Sequence, residues 1–151
     1  MRIIISPYSK KLRDKETPHP KNYPYWKELV KLLEKNHQLI QVGVDGEEIL
    51  VEDHRFGLSS ADLITLVTGS DTFISVDNFF PHMVHYNFKG AKKGTVIFSK
   101  SDPLIFGYKE NNNLLKDRKY LRWDQFGPWE MTDYVEEAFM TPDEVIKKFA
   151  K

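Results

Sequence analysis

Short β-branched runs alternate with segments of helical periodicity along this chain. The first run, Ile3 to Ile5, is closed by Ser6 and Pro7 and has the pattern of a strand buried on both faces. Similar apolar runs predict further strands at residues 39–42, 49–51, 72–76 and 95–98. Strands that are short and apolar throughout are typical of a parallel sheet.

Helices are predicted between and after these strands. The first has Asn22 as its cap and presents one apolar face, formed by Trp26, Leu29, Val30 and Leu33. The second begins after Ser59, and the third spans about residues 81–88. The C-terminal helix is capped by Thr141, and Glu144 completes a capping box.

The order of these elements predicts an α/β fold. A strand–helix–strand unit closes as a right-handed parallel crossover, so we expect a Rossmann-like parallel sheet with helices on both faces. Residues 8–23 are predicted to form a long loop, and within residues 101–140 the pattern predicts only a short strand near Tyr120. The sequence contains no internal repeat and no linker, so residues 1–151 are expected to form a single domain.

Composition narrows the classes of function. The 22 Lys and Arg residues balance the 22 Asp and Glu residues, so no net positive charge attracts nucleic acid. The chain has no cysteine, and no apolar run approaches the roughly 20 residues needed to span a bilayer. We therefore expect a cytoplasmic protein without disulfides or a membrane span, and nucleic acid is not an expected partner.

Two clusters of residues have plain structural interpretations. His82 and His85 are three positions apart, but no third ligand stands at metal spacing, so neither a metal site nor a cofactor is expected. Aromatic residues interleave with Arg118, Lys119 and Arg122 near the C-terminus: Tyr120, Trp123, Phe126, Trp129, Tyr134 and Phe139. Because acidic residues follow them, core packing or a subunit interface is favoured over base stacking.

Polar residues collect where the predicted strands end. In open parallel sheets ligands bind beyond the carboxyl ends of the strands, beside helix N-termini that favour phosphate. This edge is predicted to carry Ser6, Asp45, Asp77, Asn78, His82, Ser99, Ser101 and Asp102. Asp77 ends a strand and His82 begins the next helix. This placement would allow the carboxylate to bind sugar hydroxyls and the imidazole to bind a phosphate. Alternatively, Asp77 only caps the helix and His82 is a surface residue.

Five short motifs follow one another in the part of the chain that spans residues 3–107. They are Lys21 to Trp26, Val42 to Glu47, Gly57 to Ser59, Asp77 to His82, and Ser101 to Pro103. In this order and at this spacing they resemble the C-terminal half of family 9 glycosyltransferases, the ADP-heptose:lipopolysaccharide heptosyltransferases. The resemblance implies the donor-binding half of the two-domain GT-B fold.

The resemblance also implies roles for the matching residues around the nucleotide. Lys21 would contact the phosphates of the donor, and the backbone around Ser6 would lie near them. Glu47 or Glu48 would hold the ribose, and Leu58 would pack on the base.

The sugar end of the donor would lie against the Asp77 motif. By the resemblance, Asp77 binds hydroxyls of the transferred sugar, with Asn78 and His82 beside the sugar and the pyrophosphate. The family has a glycine two residues after the Asp, where this chain has Phe79, followed by Phe80. Because glycine lets a ligand approach the backbone closely, a phenyl ring there predicts a donor other than ADP-heptose, or a loss of binding.

The expected function is therefore that of a glycosyltransferase-like protein that binds a nucleotide-diphosphate sugar, with an ADP-sugar favoured. The family's other half binds the acceptor and supplies the base, so we expect a partner chain or a homo-oligomer, and no catalytic residue is assigned here. One alternative is a non-catalytic protein that senses or sequesters a nucleotide or nucleotide sugar. Another is an interaction domain whose cleft is filled by Phe79 and Phe80.

Overall fold

Six parallel strands form the sheet of this protein. In a computed structural model that describes residues 1–10 and 18–149, the strands lie in the order β3-β2-β1-β4-β5-β6. They are β1 (Arg2–Ser6), β2 (Gln38–Gly43), β3 (His54–Phe56), β4 (Thr72–Val76), β5 (Thr95–Phe98) and β6 (Asn112–Leu115). The predicted Rossmann-like parallel sheet is confirmed. Of the predicted loop over residues 8–23, residues 11–17 lie outside the described residues.

Helices cover both faces of this sheet. They are α1 (Trp26–Leu33), α2 (Ser60–Thr68), α3 (Phe79–Phe88), α4 (Pro103–Phe106) and α5 (Pro142–Phe149). α1 and α5 pack on one face, where Ile3 and Ile5 point, while α2 and α3 pack on the other, where Ile4 points. All three isoleucines are at most 1% exposed. Burying such a side chain contributes about 1.5–3 kcal/mol, which explains why β1 is apolar at every central position.

The strand order creates a topological switch point between β1 and β4. From β1 the chain crosses to β2, and from β4 it crosses to β5 on the other side. Loops that leave the carboxyl ends of β1 and β4 therefore separate, and a crevice opens between them. No helix in the described part of the chain is long and apolar enough to span a membrane.

The predicted helix caps are partly correct. Ser59 caps α2 by accepting a hydrogen bond from the Asp62 amide at 3.1 Å. Thr141 and Glu144 form a reciprocal capping box at 3.0 and 3.3 Å. The prediction for Asn22 is wrong: its Oδ1 accepts from the Ser9 amide at 2.8 Å, and α1 starts later, without a side-chain cap.

The strand predicted at residues 49–51 does not form. The fully buried Gln41 of β2 binds this segment instead: its Oε1 accepts from the amides of Leu50 (2.7 Å) and Val51 (3.2 Å). Its Nε2 donates to the Glu48 carbonyl at 2.8 Å. Because a side chain takes up these backbone groups, the segment runs as a loop, and the third strand forms later, at His54–Phe56.

The region after β5 differs most from prediction. It contains α4 and β6, which the apolar pattern does not reveal because β6 is an edge strand with the sequence Asn-Asn-Leu-Leu. The strand predicted near Tyr120 is wrong: Arg118–Tyr120 is a single 3₁₀ turn. The Asp117 side chain accepts from the Lys119 amide at 2.9 Å, a local bond that competes with strand formation.

Candidate functional site

A cavity of about 680 Å³ opens at the carboxyl edge of the sheet, beside the ends of β1 and β2. Its polar lining includes Ser6, Ser9, Asp45, Glu47 and Asn78, and its apolar lining includes Val42, Leu58, Leu63, Phe79 and Phe80. Lys10 and Arg55 also reach it. The cavity thus draws on both sides of the switch point, since Ser6 ends β1 and Asn78 follows β4.

The loop after β2 brings Glu47 back over the strand end. Glu47 Oε1 accepts a hydrogen bond from the Val44 amide at 2.9 Å. Gly43 permits this conformation of the loop, because a Cβ at that position would lie only 2.7 Å from Glu47 Oε2. Oε2 itself is buried and has no hydrogen-bond partner among the described residues. Burial raises the pKa of Glu47. The carboxyl group of Glu47, a residue that lines the cavity, therefore has an acceptor oxygen without a partner among the described residues.

Asn78 ties the end of β1 to the start of α3 across the switch point. Its Nδ2 donates to the Ser6 carbonyl (3.2 Å), the Ser6 Oγ (3.1 Å) and the Tyr8 carbonyl (3.2 Å). Its Oδ1 caps α3 by accepting from the Phe80 amide at 3.0 Å. Every polar atom of the side chain is engaged, so Asn78 acts as a clamp in the wall of the cavity.

Asp77 is the centre of a second, charged cluster beside the cavity. The residue is buried, with 4% of its surface exposed. Its Oδ2 lies 3.4 Å from Lys21 Nζ, and its Oδ1 lies 3.9 Å from His82 Nε2. The structure thus brings Lys21, which is distant in sequence, next to Asp77 and His82. They do not line the large cavity, but Asp77 directly precedes the Asn78 clamp that does.

The C-terminal segment contributes residues that the sequence analysis assigned to core packing or an interface. The Lys21 ammonium lies 4.9 Å from the centre of the Trp129 ring, and the Arg122 guanidinium lies 3.6 Å from the same ring. The His19 ring packs on Trp129 at 4.9 Å. Burial, followed by the charges of Lys21 and Arg122, lowers the pKa of His19 to about 4. In the sequence, the feature that indicates this cluster is the alternation of basic and aromatic residues in the C-terminal segment.

Other aromatic residues of that segment divide between core and surface. Phe139 is buried in the core with 1% exposure, whereas Trp123 is fully exposed. Phe126 is also exposed, and the centre of its ring lies 5.7 Å from the centre of the Phe106 ring in α4.

The two histidines of α3 have separate partners. His82 Nδ1 lies 2.5 Å from the Tyr108 hydroxyl, and His85 Nδ1 lies 2.7 Å from Glu110 Oε2. Within residues 1–10 and 18–149, no three His, Asp or Glu side chains lie close enough to hold a metal ion.

Phe79 and Phe80 point in different directions. Phe80 is fully buried and packs edge-on against Phe73 at 5.2 Å, whereas Phe79 is 65% exposed. Both contribute to the wall of the cavity and leave its volume of about 680 Å³ open. Filling of the cleft by these two rings, one of the alternatives above, is not what the structure contains.

Two of the remaining polar residues of this edge, Ser99 and Asp102, have structural partners, whereas Ser101 Oγ is buried without a hydrogen-bond partner among the described residues. Ser99 Oγ donates to the Pro20 carbonyl at 3.1 Å, which fixes the loop that carries Lys21. Asp102 caps α4 through the Leu104 amide at 2.9 Å and binds Arg118 at 2.7 Å. Among the residues predicted from the sequence, Ser6, Asp45, Glu47, Leu58 and Asn78 line the cavity, and Lys21, Asp77 and His82 form the charged cluster.

No family model, no curated protein and no solved structure matches this chain.

Proposed function

We propose that this chain binds a nucleotide-diphosphate sugar at the carboxyl edge of its sheet, as the donor-binding half of a two-domain glycosyltransferase. The cavity of about 680 Å³ falls within the range of about 300–1,000 Å³ that is common for small-molecule sites. It adjoins the switch point between β1 and β4, where open parallel sheets bind nucleotides.

The cavity suits the nucleoside end of such a ligand. Leu58, Leu63 and Val42 offer an apolar surface to a base. A ribose hydroxyl that donates to Glu47 Oε2 would satisfy this buried atom, which has no hydrogen-bond partner within residues 1–10 and 18–149. These residues agree with the roles that the resemblance implies for Glu47 and Leu58.

Binding of the diphosphate would depend on side chains more than on the backbone amides at the start of α3. At the start of α3, Asn78 already occupies the Phe80 amide, and Pro81 has no N–H to donate. The N-terminus of α3 therefore offers few backbone donors to an anion. Lys21 is the cation beside Asp77, and the charge of a diphosphate would draw it from the ion pair.

The sugar fits next to Asp77. Asp77 is a buried carboxyl group, and carboxylate oxygens accept strong hydrogen bonds from hydroxyl groups. Transfer also needs a base that activates the acceptor, and we assign that base and the acceptor site to a partner chain or a second copy. The observation that carries the proposal is the position of the Lys21–Asp77–His82 cluster beside the open cavity, which is lined by Asn78, the residue next to Asp77.

A thermal-shift screen with ADP-, UDP-, GDP- and CDP-sugars tests the proposal. A ligand at 100 times its dissociation constant stabilises the folded protein by about 2.7 kcal/mol, which is readily measured. Asp77→Asn should remove the part of the shift that the sugar adds and retain the part due to the nucleoside diphosphate. No shift with any of these ligands, or an Asp77→Asn protein that responds like the wild type, contradicts the proposal.

Phe79 favours a second candidate function, which is binding without transfer. Its ring stands at the cavity wall at the position where close approach of a ligand needs a small residue. A sensing or sequestering protein would bind the nucleotide sugar and never release free nucleoside diphosphate from it. Assay of that release, with the chain alone and together with a chain that carries an acceptor-binding half, distinguishes the two functions.

A further inference from the structure

His82 is held from both sides of its ring. Its Nδ1 lies 2.5 Å from the Tyr108 hydroxyl, a strong hydrogen bond, and its Nε2 faces Asp77 Oδ1 at 3.9 Å. The separation of 3.9 Å is too long for a direct hydrogen bond. Nε2 therefore faces the carboxylate without forming a hydrogen bond to it.

Tyr108 is itself rigidly placed. Its ring stacks on His85 with centroids 3.8 Å apart and an angle of 11° between the planes. His85 in turn is fixed by Glu110 at 2.7 Å. The hydroxyl of Tyr108 therefore points at His82 because the stack and the ion pair behind it leave the ring little freedom.

The neighbours of His82 select one tautomer of the neutral ring. Burial, followed by the charge and the hydrogen bond of the neighbouring Tyr86, raises the pKa of Tyr108 to about 12, so the phenol keeps its proton at neutral pH. We infer that this proton is donated to His82 Nδ1, which lies 2.5 Å from the hydroxyl. A nitrogen lone pair at Nε2 would face the Asp77 carboxylate and be repelled by it, whereas an N–H there is attracted. Both effects favour the proton on Nε2.

We propose that Tyr108 is a positioning residue, which holds His82 with its Nε2–H directed at the ligand beside Asp77. The ring then serves as a neutral hydrogen-bond donor to a ligand oxygen. The identity of that ligand rests on the function proposed above, while the tautomer can be measured without any ligand. Among the residues that the resemblance supplies, none has this role.

The experiment is long-range ¹H–¹⁵N correlation of the imidazole rings in the full chain at pH 8, where an ordinary imidazole with a pKa of about 6.5 is neutral. His82→Gln identifies the His82 signals. The wild type should carry the proton on Nε2, and Tyr108→Phe, in which only Asp77 still favours that tautomer, should give a mixture with more Nδ1–H than the wild type. Tyr108→Phe keeps the ring that stacks on His85, so only the hydroxyl is lost. Tyr120→Phe, which removes a hydroxyl elsewhere, should leave the spectrum of His82 unchanged.

The affinity of the same variants for a nucleotide sugar provides a second test. Loss of a donor to a charged ligand should weaken binding of the nucleotide sugar found in the screen by about tenfold in Tyr108→Phe and leave Tyr120→Phe unaffected. A wild-type His82 with its proton on Nδ1, or an unchanged tautomer in Tyr108→Phe, overturns the positioning role. Should the tautomers behave as expected while no nucleotide sugar binds, the positioning role stands and the proposed function fails.

Discussion

Lys21 Nζ lies 3.4 Å from Asp77 Oδ2, where the loop before α1 meets the end of β4. Only 21% of the lysine side chain and 6% of the aspartate side chain are exposed. The Trp129 ring covers the ammonium group at 4.9 Å, so the pair is shielded from water on that side. In the proposed site, Lys21 would exchange Asp77 for the charge of a diphosphate that enters from the neighbouring cavity.

Replacement of Lys21 by methionine should uncouple this pair. We expect the free energy of unfolding to fall by about 1–3 kcal/mol, because the buried Asp77 loses its nearest cation. Binding of a nucleoside diphosphate should weaken at least tenfold. Urea denaturation and thermal-shift titration measure the two effects.

The exposed pair Lys27–Glu48 provides the matched control. Its nitrogen and oxygen lie 3.1 Å apart, but the side chains are 78% and 52% exposed. Lys27→Met should therefore change stability by less than about 1 kcal/mol and leave ligand binding intact. Equal effects of the two substitutions would show that Lys21 has no special role.

Substitution of Asn78 should separate its two structural roles. Asn78→Ser keeps an oxygen that can cap α3 but loses the Nδ2 donor to Ser6 and Tyr8. Asn78→Ala loses both, so we expect it to cost about 1 kcal/mol more than Asn78→Ser does. Denaturant unfolding gives the difference. If the serine variant is as unstable as the alanine variant, the clamp across the switch point is the dominant role and the cap contributes little.

The buried strands were predictable because parallel strands at the centre of a sheet are apolar on both faces. β1, β4 and β5 form where their runs of isoleucine, valine and phenylalanine predict them. The edge strands β3 and β6 are short and largely polar, so the same pattern misses them. The loop at residues 49–51 is apolar but is bound by the Gln41 side chain, a contact that no local pattern reveals.

The candidate site was predictable only where its residues follow strand ends. Ser6 and Asp77 end or follow strands, and their place at the carboxyl edge follows from the topology. The contacts of Trp129 with Lys21 and Arg122 join segments far apart in sequence and depend on an irregular chain path. Tyr108 reaches His82 for the same reason, through the turn before β6.

His19 should make the stability of the protein depend on pH between about 6.5 and 4. The folded state holds the pKa of His19 at about 4, and an unfolded histidine has a pKa of about 6.5. As pH falls through this window, the unfolded state takes up the proton first, so stability decreases. The contribution of His19 to the free energy of unfolding is fully present above pH 6.5. As the pH falls from 6.5 to 4, it is lost at about 1 kcal/mol per pH unit.

Urea denaturation of the wild type and of His19→Gln at several pH values measures this dependence. The variant should lose that part of the slope between pH 6.5 and 4, and substitution of the exposed His54 by glutamine should not. A wild-type slope that persists in His19→Gln would assign the dependence to other groups.

Phe79 and Phe80 offer a paired test of the cavity wall. Phe80 is fully buried against Phe73, so Phe80→Ala should lower the free energy of unfolding by about 3–5 kcal/mol. Phe79 is 65% exposed, so Phe79→Ala should change stability by less than about 1 kcal/mol while it widens the cavity. Denaturant unfolding measures both variants.

The same Phe79→Ala protein tests how the ring affects the ligand. If the ring only obstructs the approach of the donor to α3, its removal should tighten nucleotide-sugar binding in the thermal-shift titration. If the ring packs on the ligand, the buried area lost should weaken binding by about tenfold or more. Unchanged affinity would mean that the bound ligand does not reach this wall. Because Phe79 is largely exposed, Phe79→Ala should keep the fold, and each of these results can then be assigned to the ring itself.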